Sequence, residues 1–207
     1  MTCRVLVLVS GSGTLLQSLI DARADGRLDA ELVAVGSDVP DCRGLERART
    51  VGIPTFCHPM PTLLRRGSQE RRDWDQQLAD LVAVHQPDLV VSAGFMKLLD
   101  EPFMARFGDR IINTHPAMLP AFPGAHAVRD ALAAGATSTG ASIFWVSDGV
   151  DDGELITQEA VDVLPGDDEE SLHERIKVVE RRLLVEVVNQ LARHPRTQQE
   201  PTTGETA

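Results

Sequence analysis

The unbroken apolar run Val5-Leu6-Val7-Leu8-Val9, closed at once by Ser10-Gly11-Ser12-Gly13-Thr14, constrains the fold more than any other stretch of the chain. Five apolar residues without polar alternation describe a strand buried on both faces. Further short apolar runs lie in Glu31 to Gly36, Asp88 to Ala93 and Arg110 to Asn113, each after a stretch with helical character. That alternation predicts an α/β fold: a Rossmann-like, mainly parallel central sheet with right-handed crossovers, flanked by helices. Ala160 to Leu164 reads as another strand, at or near a sheet edge.

Two helices stand out. Trp74, Leu78, Leu81 and Val82 recur at helical spacing between Ser68 and Gln86, with Ser68 placed as N-cap and Pro87 as terminator. Leu172, Ile176, Val179, Leu183, Val187 and Leu191 form one long stripe. Asp167 to Glu170 lie at its start, where negative charge suits the helix dipole. From about His194 the chain is polar and aperiodic, so we expect one catalytic domain over 1–193 and a disordered tail over 194–207.

Composition narrows the function classes. The net charge is −11, which repels a nucleic-acid backbone, and no basic cluster with interleaved aromatics compensates. A small phosphate remains open, because backbone amides bind one locally. Cys3, Cys42 and Cys57 show no Cys-x-x-Cys spacing, which argues against disulfides and structural zinc; no metal is expected. The first apolar run is too short for a membrane span and has no cleavage pattern behind it, so a cytoplasmic location is expected. The oligomeric state is open; a homodimer is compatible with the sequence.

The loop Gly11-Ser12-Gly13-Thr14-Leu15 joins a buried strand to a helix and points several backbone N–H groups at one place, as a phosphate site would. A dinucleotide fingerprint needs Gly or Ala at position 16, where Leu16 stands, and no Lys-Ser/Thr pair completes a P-loop. A single phosphate fits better; the alternative is a tight turn with no ligand.

The chemistry concentrates in Ile111-Ile112-Asn113-Thr114-His115-Pro116 and the segment to Gly124. Asn113 and His115, two apart at a strand end, share one side if the strand geometry persists. Ligands of open parallel sheets bind beyond the carboxyl ends of the strands, where this pair sits. A structural histidine is the alternative, and the neighbouring Asn and flanking prolines weigh against it. An acidic turn, Ser147 to Glu154, does not match a calcium loop. One of its carboxylates folding back onto His115 would fix and activate the ring.

Ser92-Ala93-Gly94-Phe95-Met96-Lys97-Leu98-Leu99, the Asn113-to-Gly124 segment and the Asp148-to-Gly153 turn together resemble the phosphoribosylglycinamide formyltransferases, over about residues 4 to 192. The resemblance implies transfer of formyl from 10-formyltetrahydrofolate to the amine of 5′-phosphoribosylglycinamide. It implies a catalytic trio of Asn113, His115 and Asp151, with Asn113 also touching the folate. It puts the substrate phosphate on Gly11, Ser12, Gly13, Thr14 and Leu15, and the ribose hydroxyls on Glu180, taken to lie on the exposed side of the last helix. The folate would lie along Met96, Lys97, Leu98 and Leu99, with Arg71, or one of its neighbours Arg65, Arg66 and Arg72, near its tail. The alternatives for Glu180 and Arg71 are a surface helix charge and a solvated basic helix end. The chain departs from the family pattern at Thr14-Leu15, Phe144, Asp152, which competes with Asp151, and Lys177. Two rivals stand beside this reading. One is a formyltetrahydrofolate hydrolase, whose relatives usually carry an N-terminal regulatory domain, whereas here the first strand begins by residue 4. The other is a non-catalytic nucleotide- or folate-binding protein.

Overall fold

A computed structural model describes residues 2–60 and 64–195. The elements follow in the order β1 (Cys3–Val9), α1 (Thr14–Ala24), β2 (Ala30–Ser37), α2 (Arg43–Thr50), β3 (Thr55–Cys57), α3 (Gln69–Ala83), β4 (Leu89–Ser92), α4 (Glu101–Phe107), β5 (Ile111–His115), α5 (Ala127–Ala133), β6 (Ser138–Trp145), β7 (Leu155–Asp162) and α6 (Glu169–Arg193). They build one seven-stranded sheet in the order β3-β2-β1-β4-β5-β6-β7. The pairings from β3 through β5 are parallel, and β6 and β7 are antiparallel. Among the described residues no helix is long and apolar enough to cross a membrane.

The opening run behaves as its composition demands. Val5, Val7 and Val9 pack into a core with α1, α2 and α6, while Leu6 and Leu8 pack into a second core with Trp74 and Leu78 of α3 and Phe103 of α4. Period-two alternation thus sends successive apolar side chains to opposite layers. Because β1 is flanked by β2 on one side and β4 on the other, the crossovers leave it in opposite directions. A crevice opens at the carboxyl edge there.

The structure adjusts several expectations. Helix α3 starts after Ser68, whose side chain accepts from the Arg71 amide, and ends at Ala83 rather than Gln86. Gln86 takes φ 46°, so the chain has already left helical geometry before Pro87. The edge strand runs Leu155–Asp162 instead of 160–164: polar Thr157, Gln158 and Glu159 interrupt its apolar residues, and only Val161 is buried. Its partner β6 was not anticipated, because Ser138-Thr139-Gly140-Ala141-Ser142 lacks an apolar run although it is almost wholly buried. The tail expectation over 196–207 lies outside the described residues.

Candidate active site

The crevice holds a cavity of about 630 Å³. Residues 11–15 bound it on one side and 94–99 on another; β5 supplies Asn113 and His115, the 147–151 loop supplies Asp151, and α6 supplies Lys177 and Glu180. Every site residue expected from the sequence lines this cavity except Arg71.

At the 11–15 loop, Gly13 takes φ 66° as N-cap of α1 and makes no side-chain cap. A Cβ there would stand 2.6 Å from Gly44 Cα, so both the backbone angle and the close approach of α2 demand glycine. With no side chain capping the helix, its first-turn amides remain donors for an anion. The loop is held from behind by the Gly44 amide donating to Gly11 O at 3.0 Å and by Arg47 Nε donating to Ser12 O at 2.8 Å.

Strand β5 persists to His115, so Asn113 and His115 do share one side of the strand. Among the described residues the Asn113 side-chain amide has no hydrogen-bond partner. His115 is 4% exposed. Its Nε2 lies 2.7 Å from Phe122 O, and its Nδ1 lies 3.4 Å from Asp151 Oδ2. A carbonyl oxygen only accepts, so Nε2 carries a proton in that contact and Nδ1 is the nitrogen left to exchange one. The separation from Asp151 is that of an ion pair rather than a short hydrogen bond.

Asp151 is aimed by its own loop. It sits at φ 52°, a left-handed conformation that Asp tolerates, and its Oδ2 accepts from the Gly124 amide at 2.8 Å. Asp152 turns elsewhere: its carboxylate accepts from the Ser147 hydroxyl and folds over Gly149. The two neighbouring carboxylates are thereby separated in role, one on the histidine and one inside the loop. Arg66, which the sequence reading passed over in this respect, fastens the loop by donating to Asp148 O at 2.6 Å.

Two expectations about position are corrected. Glu180 is not on the exposed side of α6; it is 4% exposed and lies against β5 with a hydrogen bond from Thr114. Loss of hydration raises its carboxyl to about 7. The apolar stripe of α6 is wide enough to include this position, and a lone Glu within it was the available signal. Arg71 is not a solvated helix end either. It is 6% exposed, pairs with Asp75, donates to Leu98 O and stacks over Trp74 with its guanidinium carbon 5.1 Å from the ring centroid. It holds the 94–99 segment from behind without lining the cavity.

That segment presents Met96 and Leu98 at 65% and 46% exposure, an apolar surface on a backbone fastened at both ends. Phe144, the register partner of Asn113, is buried and adds an apolar wall. His173 also lines the cavity and was missed, although positions 173, 177 and 180 share one helical face. Lys177 is tied to exposed Glu174 at 2.7 Å. Among the described residues, no group of His, Cys, Asp and Glu is placed to hold a metal ion.

A family model described as formyl transferase matches residues 3–188. Phosphoribosylglycinamide formyltransferase of Mycobacterium tuberculosis (strain ATCC 25618 / H37Rv) is 52% identical over 192 residues, covering 92% of this chain and 86% of that protein. The enzyme of the same name from Escherichia coli (strain K12) is 36% identical over 188 residues, covering 91% and 86%. Among solved structures, glycinamide ribonucleotide transformylase 1 from Symbiobacterium toebii superposes with a TM-score of 0.87 at 39% identity, over 97% of this chain and 92% of that one.

Proposed function

The chain belongs to the formyl transferase family, and from that premise we infer that it moves the formyl group of 10-formyltetrahydrofolate to the amine of 5′-phosphoribosylglycinamide, a step of purine synthesis. The observation that carries the reading is the meeting of Asn113, His115 and Asp151 on the wall of one cavity that also contains an uncapped helix start and an apolar segment.

The amines, phosphates and ring edges of the two substrates match this wall in order. The phosphate is received by the amides of 11–15, and buried Glu180 accepts from the ribose hydroxyls. The folate lies along 96–99, where main-chain groups meet its polar edge and Met96 and Leu98 cover its face. The substrate amine attacks the formyl carbon, and negative charge develops on the formyl oxygen. Asn113, whose amide has no partner among the described residues, donates to that oxygen. His115 and Asp151 carry the proton that the amine loses toward the folate nitrogen that leaves. Nδ1 is the exchanging position, and the Asp151 carboxylate facing it orients the ring.

Purified protein is to be mixed with 10-formyltetrahydrofolate, with and without phosphoribosylglycinamide. Formyl transfer that requires the amine is the expected result. Formyl loss without the amine would assign a hydrolase, and binding of both compounds without turnover would assign a binding protein.

A further inference from the structure

Behind the cavity one buried carboxylate joins its two halves. Asp38 follows β2 at the carboxyl edge of the sheet and is 6% exposed. Its Oδ1 accepts from the Ser10 hydroxyl at 2.5 Å, and its Oδ2 faces Lys97 Nζ at 3.4 Å. The same Ser10 hydroxyl accepts from the Met96 amide at 2.8 Å, and the Ser10 amide donates to Gly94 O at 3.1 Å. Ser10 directly precedes the 11–15 loop, and Met96 and Lys97 belong to the 94–99 segment. A chain of contacts therefore runs from one substrate-facing loop to the other through a carboxylate that does not itself line the cavity.

We propose that Asp38 is a positioning residue that, through Ser10 and Lys97, couples the loop at 11–15 to the segment at 94–99, so that occupation of either one orders the other. The identity of the two occupants rests on the function inferred above; the coupling does not.

Each loop retains other holds without Asp38. The 11–15 loop keeps its bonds from Gly44 and Arg47, and the 94–99 segment is followed by the Asp100 amide donating to Asp75 at 3.0 Å. Neither loop depends on Asp38 to fold. What depends on it is the side-chain link between them: its carboxylate holds the Ser10 hydroxyl in the orientation that leaves a lone pair for the Met96 amide, while the main-chain bond from Ser10 to Gly94 remains. Coupling between sites needs an element that both can bias, and this hydroxyl is the one they share, its proton committed to Asp38 and its lone pair to Met96.

The first measurement is amide hydrogen exchange on the ligand-free protein. Asp38→Ala should speed exchange at Met96 and at residues 11–15 together, while the interiors of β1 and β4 exchange as before. The second is steady-state kinetics: KM for both substrates should rise about tenfold, the scale of one lost charge-assisted bond, with kcat within about threefold. The affinity for tetrahydrofolate should also cease to depend on added phosphoribosylglycinamide. Asp38→Asn, which keeps an oxygen for Ser10 but no charge for Lys97, should recover part of the coupling. Acceleration confined to one segment, or to neither, overturns the proposal, as does a loss of thermal stability with both KM values unchanged. If Asp38→Ala does not fold, Ser10→Ala decides by the same readouts. Because exchange needs no ligand, a parent protein without transfer activity would count against the assigned function and leave this test standing.

Discussion

In the proposed mechanism Asn113 and the His115–Asp151 pair do different work, and single substitutions separate them. An oxyanion donor acts only as charge develops, so its removal appears in kcat more than in substrate affinity. Asn113→Ala should lower kcat roughly 10²–10³-fold with the melting temperature nearly unchanged, because the amide has no partner to lose among the described residues. A matched fall in stability would instead mark a structural side chain. The acidic turn offers a sharper comparison. Asp151→Asn removes the charge opposite His115 Nδ1, whereas Asp152→Asn removes a charge that faces only the Ser147 hydroxyl inside the loop. The second leaves an oxygen to accept from that hydroxyl, so we expect the first substitution to cost roughly 10²-fold or more in kcat, the range of general acid–base participation, and the second less than about tenfold. Equal losses from the two, measured side by side, would dissolve the assignment of Asp151. Lys177 lends itself to a third comparison. It lines the cavity and its partner Glu174 is 58% exposed, so the pair is weakly held and the ammonium adds positive charge to the wall proposed to receive the phosphorylated substrate. Lys177→Gln should raise KM for phosphoribosylglycinamide severalfold, increasingly at low salt, and leave KM for the folate unchanged.

Among the elements, the 147–153 loop is the least tolerant part of the site. Gly153 lies where a Cβ would stand 1.7 Å from Trp145 O, a contact that no side-chain rotation relieves. Gly153→Ala should therefore displace the loop and with it Asp151. Transfer should fall at least tenfold while the circular-dichroism spectrum stays that of the parent, and unchanged turnover would show that the loop position does not matter. Elements differ in how plainly the chain announces them. Strands β1, β2, β4 and β5 were legible because burial on both faces leaves only apolar residues to choose from. Strand β6 was not, since Thr139, Gly140 and Ser142 are buried by close approach rather than by apolar character; a Cβ on Gly140 would meet Glu159 O at 2.2 Å. The placement of Asn113 and His115 was legible for a related reason: strand period and strand-end position are local properties, whereas Asp151 was named only by the family resemblance. The positions of Glu180 and Arg71 were not, because each depends on which long-range surface its helix meets. A Glu beside an apolar stripe and an Arg at a helix start have the same local sequence whether buried or solvated. Ser10 and Asp38 illustrate the middle case. Both are polar residues ending buried strands, a pattern visible in the chain, but only the neighbouring order of β2, β1 and β4 reveals that they meet.

Across the whole molecule, Glu180 makes stability and function oppose each other through pH. Its carboxyl, raised to about 7 by lost hydration, has an unfolded value near 4.5. Between those values the folded protein holds a proton that the unfolded chain has released. The stabilising contribution is therefore complete below about 4.5 and disappears as pH rises through about 7. Burial of this group is nearly complete, so solvent screening subtracts little, and the full span corresponds to about 3 kcal/mol as an upper figure. His85 and His173 have values lowered by burial, and their contributions run the other way, growing as pH rises. A pH profile of the parent alone would mix these signs. The difference between parent and Glu180→Gln isolates one of them, because the amide keeps the shape and cannot ionise. At pH 5 the two proteins should unfold at nearly equal denaturant concentrations, and by pH 8 the variant should be the more stable by up to about 3 kcal/mol. Its KM for phosphoribosylglycinamide should nevertheless be higher than the parent's at pH 8, where the parent presents a carboxylate to the ribose hydroxyls. A difference in stability that stays flat from pH 5 to pH 8 would mean that Glu180 ionises as an ordinary surface carboxyl, and its place as a desolvated acceptor in the cavity would be lost with it.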